Sequence, residues 1–330
     1  MTGPDDKRRT IRDVAKAAGV SISTASNALN GIGRTNAETR EKVKRIADEL
    51  GFRPNALARG LLTKRSHAIG MLTNDTYGRL TLPMAAGVSE ILVDHGVSLF
   101  LCATNNDPRL AKLHLDALLD RQVDGIIFSA TRIDLEPPPE LLKLGIPVIY
   151  AFAQGPADSV SFHPDDAQGA RLAVQHLQAL GRSRILHITG EQNYLAARIR
   201  AEAYREASGA CDVMFGEWSE EWGHTAIDAV YSQTGKKPDA IFCGSDEIAR
   251  GVIGALRDRG ISIPDEVAVV GFDNWEVISK QTRPPLTTLD MALKDIGRRA
   301  GLAILGLSRR EKLEPGIVRH PCSLVRRASA

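Results

Sequence analysis

The chain has 330 residues, 43% of them apolar and 25% charged, with a formal net charge of +2. That length exceeds one ordinary domain, and the composition is that of a globular protein with a sizeable core rather than a disordered or fibrous one. No apolar run approaches the ~18 residues that span a bilayer, so no membrane role is expected.

The charge is unevenly spread. Residues 1–65 hold 14 Lys and Arg against 7 Asp and Glu, a balance of +7, and the remainder carries −5. A basic head on a mildly acidic body points to a polyanionic partner for the head; a solvated basic tail is the plainer reading. The opening residues carry charge with no apolar stretch behind it, which is not a secretory signal and fits a cytoplasmic protein. Cys102, Cys211, Cys243 and Cys322 make no Cys-x-x-Cys pair and read as small core residues of a reduced protein.

Three short helices are predicted in the head. Thr10 is placed to cap the first, with Asp13 to complete a capping box and Ile11, Val14, Ala15 and Ala18 as its apolar side. Gly19 stops it. Ser21 caps a second helix with Ala25, Ala28 and Leu29 inward, and Asn30-Gly31 breaks it. The third starts near Asn36, buries Val43, Ile46, Ala47 and Leu50, and stops at Gly51. Behind Pro54 the stretch 55–62 has a helical pattern but is short and contains Gly60. Helices below ~12 residues are marginal in water and an interior glycine costs a further ~1 kcal/mol, so this segment should fold only when something holds it.

Beyond residue 66 short apolar runs recur at 68–72, 97–102, 125–128, 147–152, 185–189, 240–244 and 267–272, with amphipathic stretches at 85–95, 109–121, 167–180 and 247–259. Alternating strands and helices indicate parallel sheets. Residues 66–330 are too many for one sheet domain of typical size, so two lobes are expected.

The run Thr10-Ile-Arg-Asp-Val-Ala-Lys-Ala-Ala-Gly-Val-Ser21, continuing Ile-Ser-Thr-Ala-Ser-Asn-Ala-Leu-Asn-Gly31, resembles the lactose-repressor (LacI/GalR) family. Glu38-Thr-Arg40, Leu50-Gly-Phe-Arg-Pro-Asn55 and Ala58-Arg-Gly-Leu61 extend the likeness. In the body it continues through Asp165-Asp-Ala-Gln-Gly-Ala170, Val270-Gly-Phe-Asp273 and Arg283-Pro-Pro-Leu-Thr-Thr288. Ala197-Arg-Ile-Arg-Ala-Glu-Ala-Tyr204 fits too, with Ala203 in place of glycine.

The resemblance implies a helix-turn-helix head (1–53), a hinge helix (54–65) and an effector-binding and dimerisation core (66–330) whose two α/β lobes are similar to periplasmic sugar-binding proteins. Lobe one is expected over about 66–160 and 291–320 and lobe two over about 161–290, with crossings near Ser161, Thr288 and His320. It further implies a homodimer on pseudo-palindromic operator DNA, acting as a transcriptional regulator, most simply a repressor, under a small effector such as a sugar.

In such a head the second helix enters the major groove. By position, Ile22, Ser23 and Asn27 read base edges, Asn27 being suited to adenine and Ile22 to a thymine methyl. Ser21, Thr24 and Ser26 contact phosphates or cap the helix, and Thr10 and Asn36 join the DNA-facing set. Arg59 touches phosphate and Leu61 wedges into the minor groove, the alternatives being a solvated arginine and a leucine that packs the hinge against the core. Ordinary solvent-facing helix positions would look the same one residue at a time. In the core, family position points to Arg198, Trp218, Ser245 and Asp273 as effector contacts, with Leu80, Thr81 and Phe152 also at ligand-facing places. A strand-end cap is the alternative for Asp273, and a core residue for Trp218. Phe152 stands where some members carry aspartate, Ser245 where asparagine is usual, and Leu80 and Thr81 where an aromatic pair is common; a purine-like, acidic or less polar ligand therefore stays open beside a sugar.

The rival class is a periplasmic-type sugar receptor, which would need an export signal and no basic head. No metalloprotease, nucleophile-elbow or phosphate-loop motif suggests an enzyme, and no cofactor or metal is expected. The eight histidines lack ligand spacing, and His95 and His176 read as helix-surface residues.

Overall fold

The computed structural model describes residues 9–30, 35–52 and 65–330, which fall into two compact units, a head and a core beginning at Ala68. In the head, α1 (Ile11–Ala18), α2 (Ile22–Asn30) and α3 (Ala37–Glu49) each start on the expected side chain. Thr10 N and Oγ1 donate to the Asp13 carboxylate at 2.8 and 2.9 Å. The Ser21 hydroxyl accepts from Thr24 N at 3.0 Å, and Asn36 Oδ1 from Thr39 N at 2.7 Å. Such contacts occupy backbone donors or side chains that a helix start otherwise leaves unpaired. Val14, Ala15, Ala18, Ala25, Ala28, Val43 and Ala47 are buried together, with Ile11, Leu29, Ile46 and Leu50 packed on them, so the three predicted stripes meet in one small core. Residues 53–64, with the expected hinge, Arg59 and Leu61, and Gly31 lie outside the described residues.

The core opens with β1 (Ala68–Thr73), α4 (Thr81–Asp94), β2 (Ser98–Ala103), α5 (Pro108–Asp120), β3 (Gly125–Ser129), β4 (Val148–Ala151) and β5 (Val160–Pro164). It continues with α6 (Asp166–Ala179), β6 (Ile185–Thr189), α7 (Leu195–Ser208), β7 (Val213–Phe215), α8 (Glu220–Ser232), β8 (Ala240–Cys243), α9 (Asp246–Asp258), β9 (Ala268–Asp273), α10 (Glu276–Ser279) and β10 (Thr287–Asp290). It ends with α11 (Leu293–Ser308), β11 (Gly316–His320) and β12 (Ser323–Val325). One sheet runs β11-β5-β4-β3-β1-β2, all parallel, and the other β12-β10-β9-β8-β6-β7, parallel except for β12 at its edge. Among the described residues no helix is long and apolar enough to cross a membrane.

The chain passes between the sheets at Asp165, at Met291–Ala292 and at Pro321–Cys322. The first passage corrects the expected boundary near Ser161, because β5 pairs with β4 and β11 as far as Pro164. The Asp165–Ala170 motif builds this passage. Asp165 Oδ1 accepts from Gln168 N at 3.0 Å and Asp165 N donates to His320 O at 2.7 Å. The Gln168 amide bonds both backbone groups of Cys322, tying the first passage to the third. A Cβ on Gly169 would stand 2.9 Å from the Phe272 ring, so glycine lets β9 approach α6.

Each lobe also has a helix crossing at backbone contact. In lobe one a Cβ at Gly297 of α11 would meet Met84 O at 2.0 Å, and in lobe two one at Gly251 of α9 would meet Glu220 O at 1.9 Å. These glycines weaken helix propensity, but any larger residue would force the helices apart.

Two surface expectations fail. His176 is buried at 8% exposure, whereas His95 is exposed; and Cys211 is exposed rather than in the core.

His187 is wholly buried on β6, stacked 4.4 Å from Phe242, with Nδ1 2.9 Å from Phe242 O. The carbonyl can only accept, so Nδ1 carries a proton. Burial pushes the ring's pKa down to about 3. An unfolded histidine titrates near ~6.5, so as pH falls below that value the unfolded chain gains a proton that the folded chain refuses, and stability is lost. Between pH 8 and pH 5 this one group should cost about 2 kcal/mol. Denaturant unfolding of wild type and His187→Phe at both pH values checks this. The variant should lose that part of the slope; equal slopes would show that another group titrates.

Candidate functional site

Parallel sheets gather their loops at the carboxyl ends of the strands, and here the two sets of loops face each other across a cleft of about 540 Å³. Lobe one contributes Asp75, Tyr77, Arg79 and Leu80 after β1, the Thr131–Asp134 stretch after β3, and Phe152 after β4. Lobe two contributes Tyr194, Ala196 and Arg200 at α7, Trp218 before α8, Glu247 on α9, Asp273 at the end of β9 and Trp275 just after it.

Of the seven residues expected at a ligand, the structure brings Leu80, Phe152, Trp218 and Asp273 to the cleft. Thr81 is buried behind it, its hydroxyl 2.8 Å from that of Thr73, and its backbone N–H, like that of Leu80, donates to Asp75. Ser245 is a buried cap whose Oγ accepts from Ile248 N at 3.2 Å. Arg198 is exposed and bonds the Gln192 carbonyl at 2.9 Å. The arginine of this motif that lines the cleft is Arg200. Periodicity held the signal: Arg200 shares the buried face of α7 with Ala197, Ala201 and Tyr204, a helical spacing that leaves Arg198 outside.

Arg200 is 3% exposed and packs its guanidinium 3.6 Å from the Phe272 ring. Nε and Nη2 hold Asp166 Oδ1 at 2.7 Å, Nη1 reaches Gly244 O, and Nη2 lies 3.8 Å from Met291 Sδ. One side chain thus touches the cleft and two passages between the lobes. Burial raises the Asp166 pKa against the opposing pull of Arg200, and Oδ2 finds no donor among the described residues.

Aromatic rings wall the cleft. Tyr194 meets Trp218 edge-on at 5.7 Å and lies under the Arg132 guanidinium at 4.1 Å. Gly190 makes room for Trp218, since a Cβ there would stand 2.0 Å from the indole, whose Nε1 is buried without an acceptor among the described residues. Phe152 (φ 55°) and Asp273 (φ 114°) both adopt left-handed backbone. In non-glycine residues that strain costs about 1–3 kcal/mol and concentrates at binding sites.

Three arginines and four carboxylates line the cleft. Asp134 pairs with Arg132 at 3.0 Å and accepts from Leu195 N at 3.1 Å, Asp75 serves backbone donors, and Arg200 is taken by Asp166. Arg79 remains, shared between Glu247 and Asp273. Sequence reasoning missed Arg79, Glu247, Tyr194 and Trp275; only the folding of distant loops to one place marks them.

On the head, Ser21, Ile22 and Ser23 are exposed at the start of α2, Ile22 at 48%, while Thr24, Ser26 and Asn27 are half-buried. Thr10, Ser21 and Asn36 are engaged at helix starts, and Thr24 Oγ1 lies 2.8 Å from Ser21 Oγ.

Residues 10–55 match the model described as bacterial regulatory proteins, lacI family, and residues 174–330 match a periplasmic binding protein-like domain. Catabolite control protein A of Priestia megaterium is 33% identical over 324 residues, covering 94% of this chain and 96% of that protein. A structure of the lac repressor dimer bound to operator and the anti-inducer ONPF superposes with a TM-score of 0.76 at 27% identity, covering 98% of this chain and 99% of that one. The regulator CelR in complex with cellobiose superposes at 0.68 with 26% identity, covering 98% and 100%.

Proposed function

Because the chain belongs to the lacI family of bacterial regulatory proteins, we propose that it is a repressor whose two heads grip a pseudo-palindromic operator while a neutral sugar-like effector occupies the cleft of each core. The observation that carries the ligand class is the lining itself: aromatic faces of Tyr194, Trp218 and Trp275 beside the carboxylates of Glu247 and Asp273. Aromatic faces suit the apolar side of a ring, and carboxylates accept from paired hydroxyls. An anionic ligand fits less well, because carboxylates outnumber arginines along the walls.

Pairing of two cores is supported by Val93 on α4 and by Phe100 and Leu101 on β2, an edge strand, all exposed at 40–67%. A ligand that touches Arg200 also bears on Asp166 and Met291, hence on the passages between the lobes. An effector changes DNA affinity only by binding two lobe arrangements unequally, and Arg200 gives it a grip on both.

Two of the three tryptophans, Trp218 and Trp275, line the cleft, so intrinsic fluorescence reports on it. Screening the full-length protein against neutral pentoses, hexoses and disaccharides, with hexuronic acids and sugar phosphates as comparison, should give a fluorescence change and thermal stabilisation from a neutral member. Asp273→Asn should weaken that sugar about ten- to hundredfold by removing the charged acceptor. A response confined to anionic compounds would overturn the reading.

A further inference from the structure

Arg79 crosses the cleft. It stands on lobe one, in the loop between β1 and α4, yet Nη1 donates to Glu247 Oε2 at 2.6 Å and Nη2 to Asp273 Oδ2, both on lobe two. Its side chain is 22% exposed and its guanidinium lies 5.3 Å from the Trp275 ring, so the contact is dry enough for charge to count. The carboxylates it holds are the same acceptors that the cleft offers to a ligand. We propose that Arg79 is an internal ligand of the cleft: an ionic latch between the lobes that, by partly neutralising Glu247 and Asp273, sets the charge class of effector the cleft admits. The second half of this inference rests on the reading that the effector sits in this cleft.

A second arginine between the lobes shows what is special about the first. Arg132 reaches lobe two through the Asn193 carbonyl at 3.0 Å, and its own carboxylate partner, Asp134, is on lobe one. It ties the lobes without occupying a lobe-two acceptor in the cleft. Arg79 occupies two, so a sugar hydroxyl that donates to Asp273 must share that oxygen with Arg79 or displace it. Removal of Arg79 would leave Glu247 and Asp273 facing each other, with buried Asp246 close enough to Asp273 for their charges to interact. Such a cleft would select a cation. The loop that carries Asp273 is fixed from behind, Asn274 bonding Asp290 at 2.9 Å and Arg327 at 2.8 Å. Whether Arg79 is bound or displaced is therefore felt at the second passage between the lobes, which Asp290 adjoins.

The latch can be tested on full-length protein with no sugar present. Hydrogen–deuterium exchange should show Arg79→Ala speeding exchange by about tenfold in segments 74–80 and 273–279, as expected for loss of one charge-assisted contact in a locally opening region. The sheets should stay protected. Millimolar methylguanidinium chloride should restore protection in those segments and raise the melting temperature of Arg79→Ala, with no effect on wild type; sodium chloride at the same concentration should do neither. Arg79→Lys should keep part of the protection. Unchanged exchange in Arg79→Ala, acceleration spread evenly over the core, or no response to methylguanidinium would each overturn the latch. Because no sugar enters these measurements, their failure leaves the neutral-sugar reading to its own panel, and failure of that panel leaves this result standing.

Discussion

Raising salt from about 50 to 200 mM is expected to weaken operator binding by about 10³–10⁵, the loss that accompanies release of counterions from roughly 6–10 contacted phosphates. The expectation rests on the placement of charge. The first 65 residues carry twice as many basic as acidic side chains, 14 against 7, and the remainder of the chain is net negative. Two such heads on one dimer present enough cations for that number of phosphates, and a body charged at −5 adds no attraction of its own. Fluorescence anisotropy on an operator selected from genomic fragments gives the slope of log affinity against log salt, near −0.9 for each phosphate neutralised. Asn27→Ala should cost about 1–3 kcal/mol on the preferred site and leave this slope alone, the outcome expected of a residue that reads a base and not a phosphate. Salt-insensitive binding would mean that the basic head makes no phosphate contacts, and full affinity for an isolated half-site would mean that the two heads do not bind as a pair.

Arg200→Ala should destabilise the core by about 3–5 kcal/mol, the range for a buried ion pair broken on one side. Both partners are nearly inaccessible, with side chains 3% and 2% exposed, so solvent screening offers little relief. The variant would strand the Asp166 carboxylate, which already has one oxygen without a donor among the described residues, and would remove the cation packed on Phe272. Arg200→Met with Asp166→Leu removes both charges and should recover much of the loss, because well-packed apolar pairs often replace buried ion pairs without penalty. That double variant should nevertheless lose the fluorescence response to effector, since the link between cleft and passages is gone. Denaturant melts and the sugar titration separate the two effects. A single variant as stable as wild type would show that the pair contributes nothing to the fold, and a double variant that still responds would place the ligand elsewhere.

The sequence alone determined the head and the rhythm of the core. Caps and apolar stripes act within one or two turns, so Thr10, Ser21 and Asn36 marked helix starts, and the buried faces of α1, α2 and α3 could be read by spacing. Buried parallel strands such as 68–72 and 125–128 are continuous apolar runs and announce themselves. Elements whose residues answer to distant partners stayed hidden. β5 reads Val-Ser-Phe-His-Pro, and its polar members are buried: Ser161 accepts from Gly155 N and His163 bonds the Ala153 carbonyl. α11 carries Gly297 and Gly301 where α4 presses close, so its sequence argues against the helix that the packing requires.

The same division runs through the site. Trp218 and Asp273 could be placed by family position, and Arg200 by the helical stripe it shares with Ala197 and Tyr204. The tertiary structure alone decided the roles of Arg79 and Glu247, which stand 168 positions apart and meet at 2.6 Å. No local signal can mark such a pair. A charged side chain on a loop looks solvated in sequence, and only the approach of the two lobes turns it into a desolvated, oriented contact.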